Sequence, residues 1–191
     1  MPSSCTSSDL NLRKPYRVAV WGPGSAGLAA IREAILLPEI DLVAVKVYSD
    51  AKSGMDVGVL AGMSAIGVKA TQSATEFAAA RPECVIYMAR DYGDHRADDD
   101  IVMLLEAGIN VITALPYHYI KLRGEAVARR LEAAAQKGNA TLFATGVNPG
   151  FMFDRLALAA TGLVNGVEHI SLGEYVNCEH MPGAGEFLTL M

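Results

Sequence analysis

Residues 16–27 read YRVAVWGPGSAG, and within them Gly22, Gly24 and Gly27 fall at G-x-G-x-x-G spacing. Those residue types at that spacing can hold a pyrophosphate through backbone groups alone. Gly22 allows a tight turn, Gly24 lets the backbone approach the phosphates, and Gly27 lets a helix lie close to a strand. The helix N-terminus then offers N–H groups and the positive end of its dipole. Pro23, Ser25 and Ala26 fill the variable positions. Pro23 gives up one N–H, and Ser25 can satisfy N–H groups at the helix start. Six residues match this pattern often by chance in a chain with 18 glycines, so the surroundings must decide.

Further polar residues stand where strands are predicted to end. After the second strand the chain reads VYSDAKSGMDVGVLAG (47–62). Ser49 and Lys52 can cradle a ribose 2′-phosphate, whereas Asp50 repels one and can accept from ribose hydroxyls. The reading leans to NADP and keeps NAD open. Ala89 and Arg90 follow the fourth strand on the cofactor side, with Asp91 and His95 as further candidates for proton transfer. The loop after the fifth strand, LPYHYI, presents Tyr117 and His118 as catalytic candidates. Hydride transfer to an imine or carbonyl needs a proton donor nearby, and His titrates near neutral pH. After the sixth strand, GVNPGF places Asn148 to hydrogen-bond a carboxamide such as that of nicotinamide, with Pro149 beside it. Each of these has a plainer reading as a capped turn or a solvated loop. Glu179 and His180 reach a substrate only if the last segment folds over the cleft. The four His show no metal-ligand spacing, and G-x-S-x-G is absent, so neither a metal site nor a serine hydrolase is indicated.

The elements that position these residues alternate. YRVAVW (16–21) reads as a buried strand and SAGLAAIREAILL (25–37) as a helix ended by Pro38; EIDLVAVKVYS (39–49) reads as a second strand. A short strand (67–71) and a helix (73–82) with Ser73 and Glu76 at capping-box spacing come next. A strand at 84–89 and a helix at 96–109 follow, the latter with an acidic start and Gly108 to close it. Then come a strand (110–114), an amphipathic helix (124–139) stopping at Gly138, a strand (140–146), and a loop leading into a helix (148–163). VEHISLGEYVN (167–177) reads as one more strand. This alternation predicts an α/β, Rossmann-type doubly wound parallel sheet in the order 3-2-1-4-5-6. Residues 1–15 read as a flexible tail, 16–150 as the nucleotide-binding domain, and 151–191 as the beginning of a substrate or dimerisation domain. The apolar ending FLTLM (187–191) suggests a chain that stops inside that second domain; otherwise it packs back on the sheet or under another subunit.

Composition narrows the classes. Hydrophobic residues make up 51% and charged residues 19%, enough for a real core. The net charge of -5 and the lack of a dense Lys/Arg run argue against a nucleic-acid binder. Cys5, Cys84 and Cys178 are odd in number with no C-x-x-C, which disfavours a disulfide framework and suits a reducing cytoplasm. Cys84 lies in a strand pattern and reads as a core thiol. No signal peptide and no run of about 18 apolar residues is seen.

With these loops placed, the chain resembles the dihydrodipicolinate reductase-like superfamily, and within it the 2,4-diaminopentanoate dehydrogenase and amine dehydrogenase branch. The residues that carry the resemblance are RVAVWGPGSAGLAAIREAI, VYSDAKSGMDVGVLAG, GINVIT and ATGVNPGFMFDRLAL, from about Arg17 to Leu158. It implies an NAD(P)-binding Rossmann domain, a following α/β substrate domain, a homodimer, and an oxidoreductase moving a hydride at a C–N centre. Members of the branch carry a Glu in the loop after the fifth strand, where this chain has Leu115-Pro116-Tyr117-His118-Tyr119. Dihydrodipicolinate reductases carry a His-rich, Lys-containing segment and an S-G-T turn; GEYVNCEHMPGAGEF (173–187) has one His, no Lys and no S-G-T. That turns the reading away from lysine-pathway reduction. Two readings stay open: an NAD(P)-dependent dehydrogenase or reductase acting on a small amine, imine or keto compound, and a nucleotide-binding module without catalysis.

Overall fold

The computed structural model describes residues 14–92, 94–175 and 177. The tail expected at 1–15 falls almost wholly outside the described residues, as do Cys178, Glu179, His180 and FLTLM. Six strands form one sheet: β1 (Tyr16–Trp21), β2 (Ile40–Lys46), β3 (Ala70–Thr71), β4 (Cys84–Tyr87), β5 (Asn110–Thr113) and β6 (Leu142–Ala144). All pairs are parallel, in the order β3-β2-β1-β4-β5-β6. The helices are α1 (Ser25–Leu36), α2 (Val57–Leu60), α3 (Ala74–Ala79), α4 (Arg96–Glu106), α5 (Glu125–Gly138) and α6 (Ala157–Thr161). No helix among the described residues is long and apolar enough to cross a membrane.

The apolar run Val18–Trp21 of β1 follows from burial on both faces. Ala19 and Trp21 pack with Val85, Tyr87, Ile101 and Leu131 on the α4/α5 side. Val20, one residue between them, packs with Ile31, Ala34, Val45 and Val57 on the α1 side. Burying each such Val or Ile contributes about 1.5–3 kcal/mol. The strand order reverses between β1 and β4, so the chain leaves those neighbouring strands in opposite directions and opens a crevice outside their carboxyl ends. Cys84 is a half-buried free thiol, and burial pushes its pKa up to about 11. That suits an inert side chain.

Several local expectations need correction. Ser25 is the first helical residue of α1 and makes no cap; the cap position is Gly24, which has no side chain to offer. Only half of the capping box at α3 forms. Ser73 accepts from the Glu76 N–H at 3.2 Å, but the Glu76 carboxylate takes the Thr71 hydroxyl instead of reaching back. Helix α5 does stop at Gly138, with Asn139 in the left-handed conformation as its cap, and Gly138 has a second task. A Cβ at Gly138 would lie 1.8 Å from the Leu105 carbonyl oxygen, so glycine there lets α5 pass close over α4. The segment 148–163 is helical almost from its start. Val147–Leu156 forms a wide π-type helix interrupted at Asn148, whose backbone is extended, and α6 continues it. The strand expected over 167–177 does not form among the described residues. A strand needs a neighbour to take its N–H and C=O groups, and no described segment pairs with this one.

Candidate functional site

The glycine turn leaves β1 at the point where the strand order reverses. Gly22 has φ +85, and a Cβ there would lie 2.6 Å from the Ala89 N and Cα. Only glycine lets the turn cross the end of β4 so closely, and the contact brings Ala89 to the turn. A Cβ at Gly27 would lie 2.4 Å from the Gly22 carbonyl oxygen, so α1 packs against its own entry turn. Gly24 differs, because its Cβ would meet nothing within 4 Å. Gly24, Ser25 and Ala26 are exposed, whereas Gly22 and Pro23 are buried. The Gly24 N–H is taken by the Gly22 carbonyl at 2.9 Å, and the Leu28 N–H by the Gly24 carbonyl at 2.8 Å. The N–H groups of Ser25, Ala26 and Gly27 belong to the first helical turn and have no acceptor within the helix.

The loop after β2 comes to this turn. The Lys52 ammonium donates to the Pro23 carbonyl at 2.9 Å, which sets a positive charge beside the exposed N–H groups. Ser49 and Asp50 are exposed, and Asp50 begins a 3-10 turn (Asp50–Lys52). Its carboxylate accepts from the Gln72 amide at 3.0 Å. Asp56 explains the distinctive SGMDVGVLAG run. It accepts from the N–H groups of Gly58, Val59, Ile66 and Gly67, capping α2 and folding the following loop onto it. Desolvation works against its charge, yet those four donors hold its carboxyl below the usual range.

Under the same edge lies a polar cluster that the sequence did not announce. Tyr48 accepts from the Trp21 indole at 2.7 Å, and Tyr87 donates to Asp100 at 2.8 Å. The Lys46 ammonium lies 5.2 Å from the Tyr48 ring centre and 5.6 Å from that of Trp21. Burial pushes the Lys46 pKa down, partly offset by Asp100; burial pushes Asp100 up, against its tyrosine hydrogen bonds. Arg90 is exposed and its guanidinium stands over the Tyr92 ring.

The expected proton donors are placed very differently from each other. Tyr117 is 2% exposed, and its hydroxyl donates to Asp98 at 2.6 Å. Burial, then the Asp98 hydrogen bond, pushes its pKa far up. Asp98, itself 1% exposed, also accepts from Arg123 Nε at 2.9 Å and meets His95 Nδ1 at 2.7 Å. Arg123 bonds Asp91 at 2.7 Å and lies 4.5 Å from the Tyr117 ring centre. Asp91, His95 and Tyr117 therefore join one network that fastens the start of α4 to the loop after β5. Nothing in the sequence marked Asp98 or Arg123 for this.

His118, the next residue, turns toward the loop after β6. Both ring nitrogens are buried without a hydrogen-bond partner. A Cβ at Gly150 would lie 3.2 Å from its Nε2, so the turn after Pro149 presses on the ring. Asn148 is exposed at the mouth of that turn, joined to Pro149 by a cis peptide bond. Asp154, not singled out beforehand, brings a carboxylate oxygen to 3.8 Å from His118 Nε2. Two groups of candidate residues thus lie along one edge of the sheet. Gly22–Gly27, Lys52 and Ala89 meet at β1, β2 and β4, and His118, Asn148, Pro149 and Asp154 meet at β5 and β6.

No family model matches the chain. An amine dehydrogenase from Streptomyces virginiae is 36% identical over 161 residues, which is 81% of this chain and 44% of that protein. The solved structure of an amine dehydrogenase from Mycobacterium smegmatis superposes with a TM-score of 0.66 at 25% identity, covering 76% of this chain and 44% of that one. A biliverdin reductase from Synechocystis, solved with biliverdin and NADP+, shares the fold at a TM-score of 0.53 and 20% identity, over 69% of this chain and 38% of that one. The chain spans less than half the length of these relatives. Sequence and fold together support placing this Rossmann-type α/β chain with the amine dehydrogenase branch.

Proposed function

We propose that the chain binds a nicotinamide dinucleotide and serves hydride transfer at a C–N or carbonyl centre of a small amine, imine or keto compound. The observation that carries this reading is the glycine turn. Gly22 and Gly27 are fixed by packing, while Gly24 is open with nothing in front of it. The exposed N–H groups of Ser25 and Ala26 and the Lys52 charge beside Pro23 suit a pyrophosphate. Ser49 and Asp50 would meet the adenosine ribose, Ala89 and Arg90 the middle of the cofactor, and Asn148 and Pro149 its carboxamide end. When bound, the nicotinamide supplies or accepts the hydride. Of the two catalytic candidates, His118 would handle the proton and Tyr117 would brace the loop, because its hydroxyl is already committed to Asp98. That commitment also favours a second reading, nucleotide binding without turnover.

Either dinucleotide at a hundredfold its Kd should stabilise the protein by about 2.7 kcal/mol. For a chain of this size that raises Tm by about 5–11 °C. No shift with NAD(H) or NADP(H) would sink the reading. Binding without any change in nicotinamide absorbance across a panel of amines and ketones would leave only the second one. Lys52→Glu should weaken NADP(H) about 10–100-fold more than NAD(H), the scale of losing one charge-assisted contact. An equal loss for both would remove Lys52 from the 2′-phosphate.

A further inference from the structure

We propose that Asp154 and His118 form one proton-handling pair at the β5–β6 end of the edge, with His118 the catalytic residue and Asp154 its positioning residue. The proposal rests on the hydride-transfer reading above. An imidazole whose two nitrogens are both buried and without a hydrogen bond is unusual, because buried polar groups are normally hydrogen-bonded. The ring is not there by default of space: Gly150 brings the backbone down onto it, and a Cβ at that position would crowd Nε2 at 3.2 Å. Asp154 Oδ2 stands 3.8 Å from Nε2, within ion-pair reach though longer than a hydrogen bond, and its side chain is 53% exposed. The loop that carries His118, Leu115–Tyr119, has no carboxylate of its own. The hydroxyl of neighbouring Tyr117 is spent on Asp98.

An Asp154 carboxylate accepting from Nε2–H fixes the tautomer and leaves Nδ1, covered in the nucleotide-free protein, to exchange a proton with the substrate once it is uncovered. In the reducing direction the substrate carbon gains the hydride of the reduced nicotinamide, and its nitrogen or oxygen gains the proton from Nδ1 of the imidazolium. The nicotinamide ends oxidised, His118 ends neutral with Nε2–H still held by Asp154, and solvent returns the proton when product leaves and Nδ1 is uncovered. In the oxidising direction each transfer reverses.

The test reads ring nitrogens and turnover separately. By 15N NMR of the protein without nucleotide, His118 should show protonated Nε2 as the dominant neutral tautomer. Asp154→Ala should move the Nε2 resonance, and Asp154→Asn, which can still accept, should move it back. An unchanged ring in Asp154→Ala overturns the pairing, whether or not any nucleotide binds. His118→Gln should lower kcat by about 100-fold or more. Asp154→Ala should lower it about tenfold with little change in KM and a flattened pH profile. The dinucleotide melting shift should stay intact in every variant, which checks folding and separates this proposal from the binding reading. Unaltered kcat in His118→Gln with nucleotide bound overturns the proton role.

Discussion

Asp98→Ala should cost about 3–5 kcal/mol of stability, the scale on which a buried ion pair fails when one partner is removed. For a chain of this size that lowers Tm by roughly 6–20 °C. Asp98 is 1% exposed and meets three groups at once: the Tyr117 hydroxyl, Arg123 Nε and His95 Nδ1. Its loss leaves the buried Tyr117 hydroxyl without an acceptor and leaves Arg123 with Asp91. Asp98→Asn keeps the size and one acceptor, and should cost less. Burial alone would raise the Asp98 pKa, but the hydrogen bonds from Tyr117, His95 and Arg123, with the Arg123 charge, hold it below the usual value. A depressed carboxyl contributes stability that is fully present above its unfolded pKa, about 3.9, and is lost as pH falls through the native value. Acid unfolding of the wild type should therefore steepen below about pH 4, and Asp98→Asn should flatten it. Urea midpoints at several pH values measure both effects. A loss under about 1 kcal/mol for Asp98→Ala would mean that the network does not hold the loop.

Gly22→Ala and Gly24→Ala should separate packing from binding. At Gly22 the alanine faces a left-handed backbone costing about 1–2 kcal/mol, plus Ala89 backbone atoms at 2.6 Å. Stability and dinucleotide affinity should fall together, affinity by about 100-fold, which is about 2.7 kcal/mol. At Gly24 φ is -76 and the new Cβ meets nothing within 4 Å. Stability should stay within about 0.5 kcal/mol. Affinity should still fall about tenfold or more, because the methyl enters the space assigned to the pyrophosphate. Thermal unfolding and nucleotide titration of both variants check this. Wild-type affinity in Gly24→Ala would move the phosphates away from the turn.

The legible parts of the fold were those set by neighbours in sequence. YRVAVW, the glycines and the Leu28/Ile31/Ile35 spacing describe a buried strand, a turn and a helix, and β1 and α1 form there. The short helix Val57–Leu60 was not legible, because Asp56 organises it together with Ile66 and Gly67, ten and eleven residues on. The 167–177 pattern looked like a strand, but alternation says nothing about whether a partner edge is present.

The acidic run of α4 shows where local reading ends. Sequence spoke for Asp98, Asp99 and Asp100 together, as acids suiting a helix start. A helix turns each successive side chain by about 100°, so the three part company. Asp98 enters the Tyr117–Arg123 network, Asp99 pairs with Arg130 on α5 at 2.7 Å, and Asp100 takes the Tyr87 hydroxyl. The same holds for Tyr117 and His118, neighbours proposed for one task and facing different partners. By itself the sequence determined the strand order, the glycine turn and its place at the crevice, because these depend on apolar periodicity and on residues without a Cβ. Tertiary structure alone decided which polar side chains are spent on packing and which are left for chemistry. Those choices depend on what the neighbouring strands and helices bring within hydrogen-bond reach, and no spacing along the chain encodes that distance.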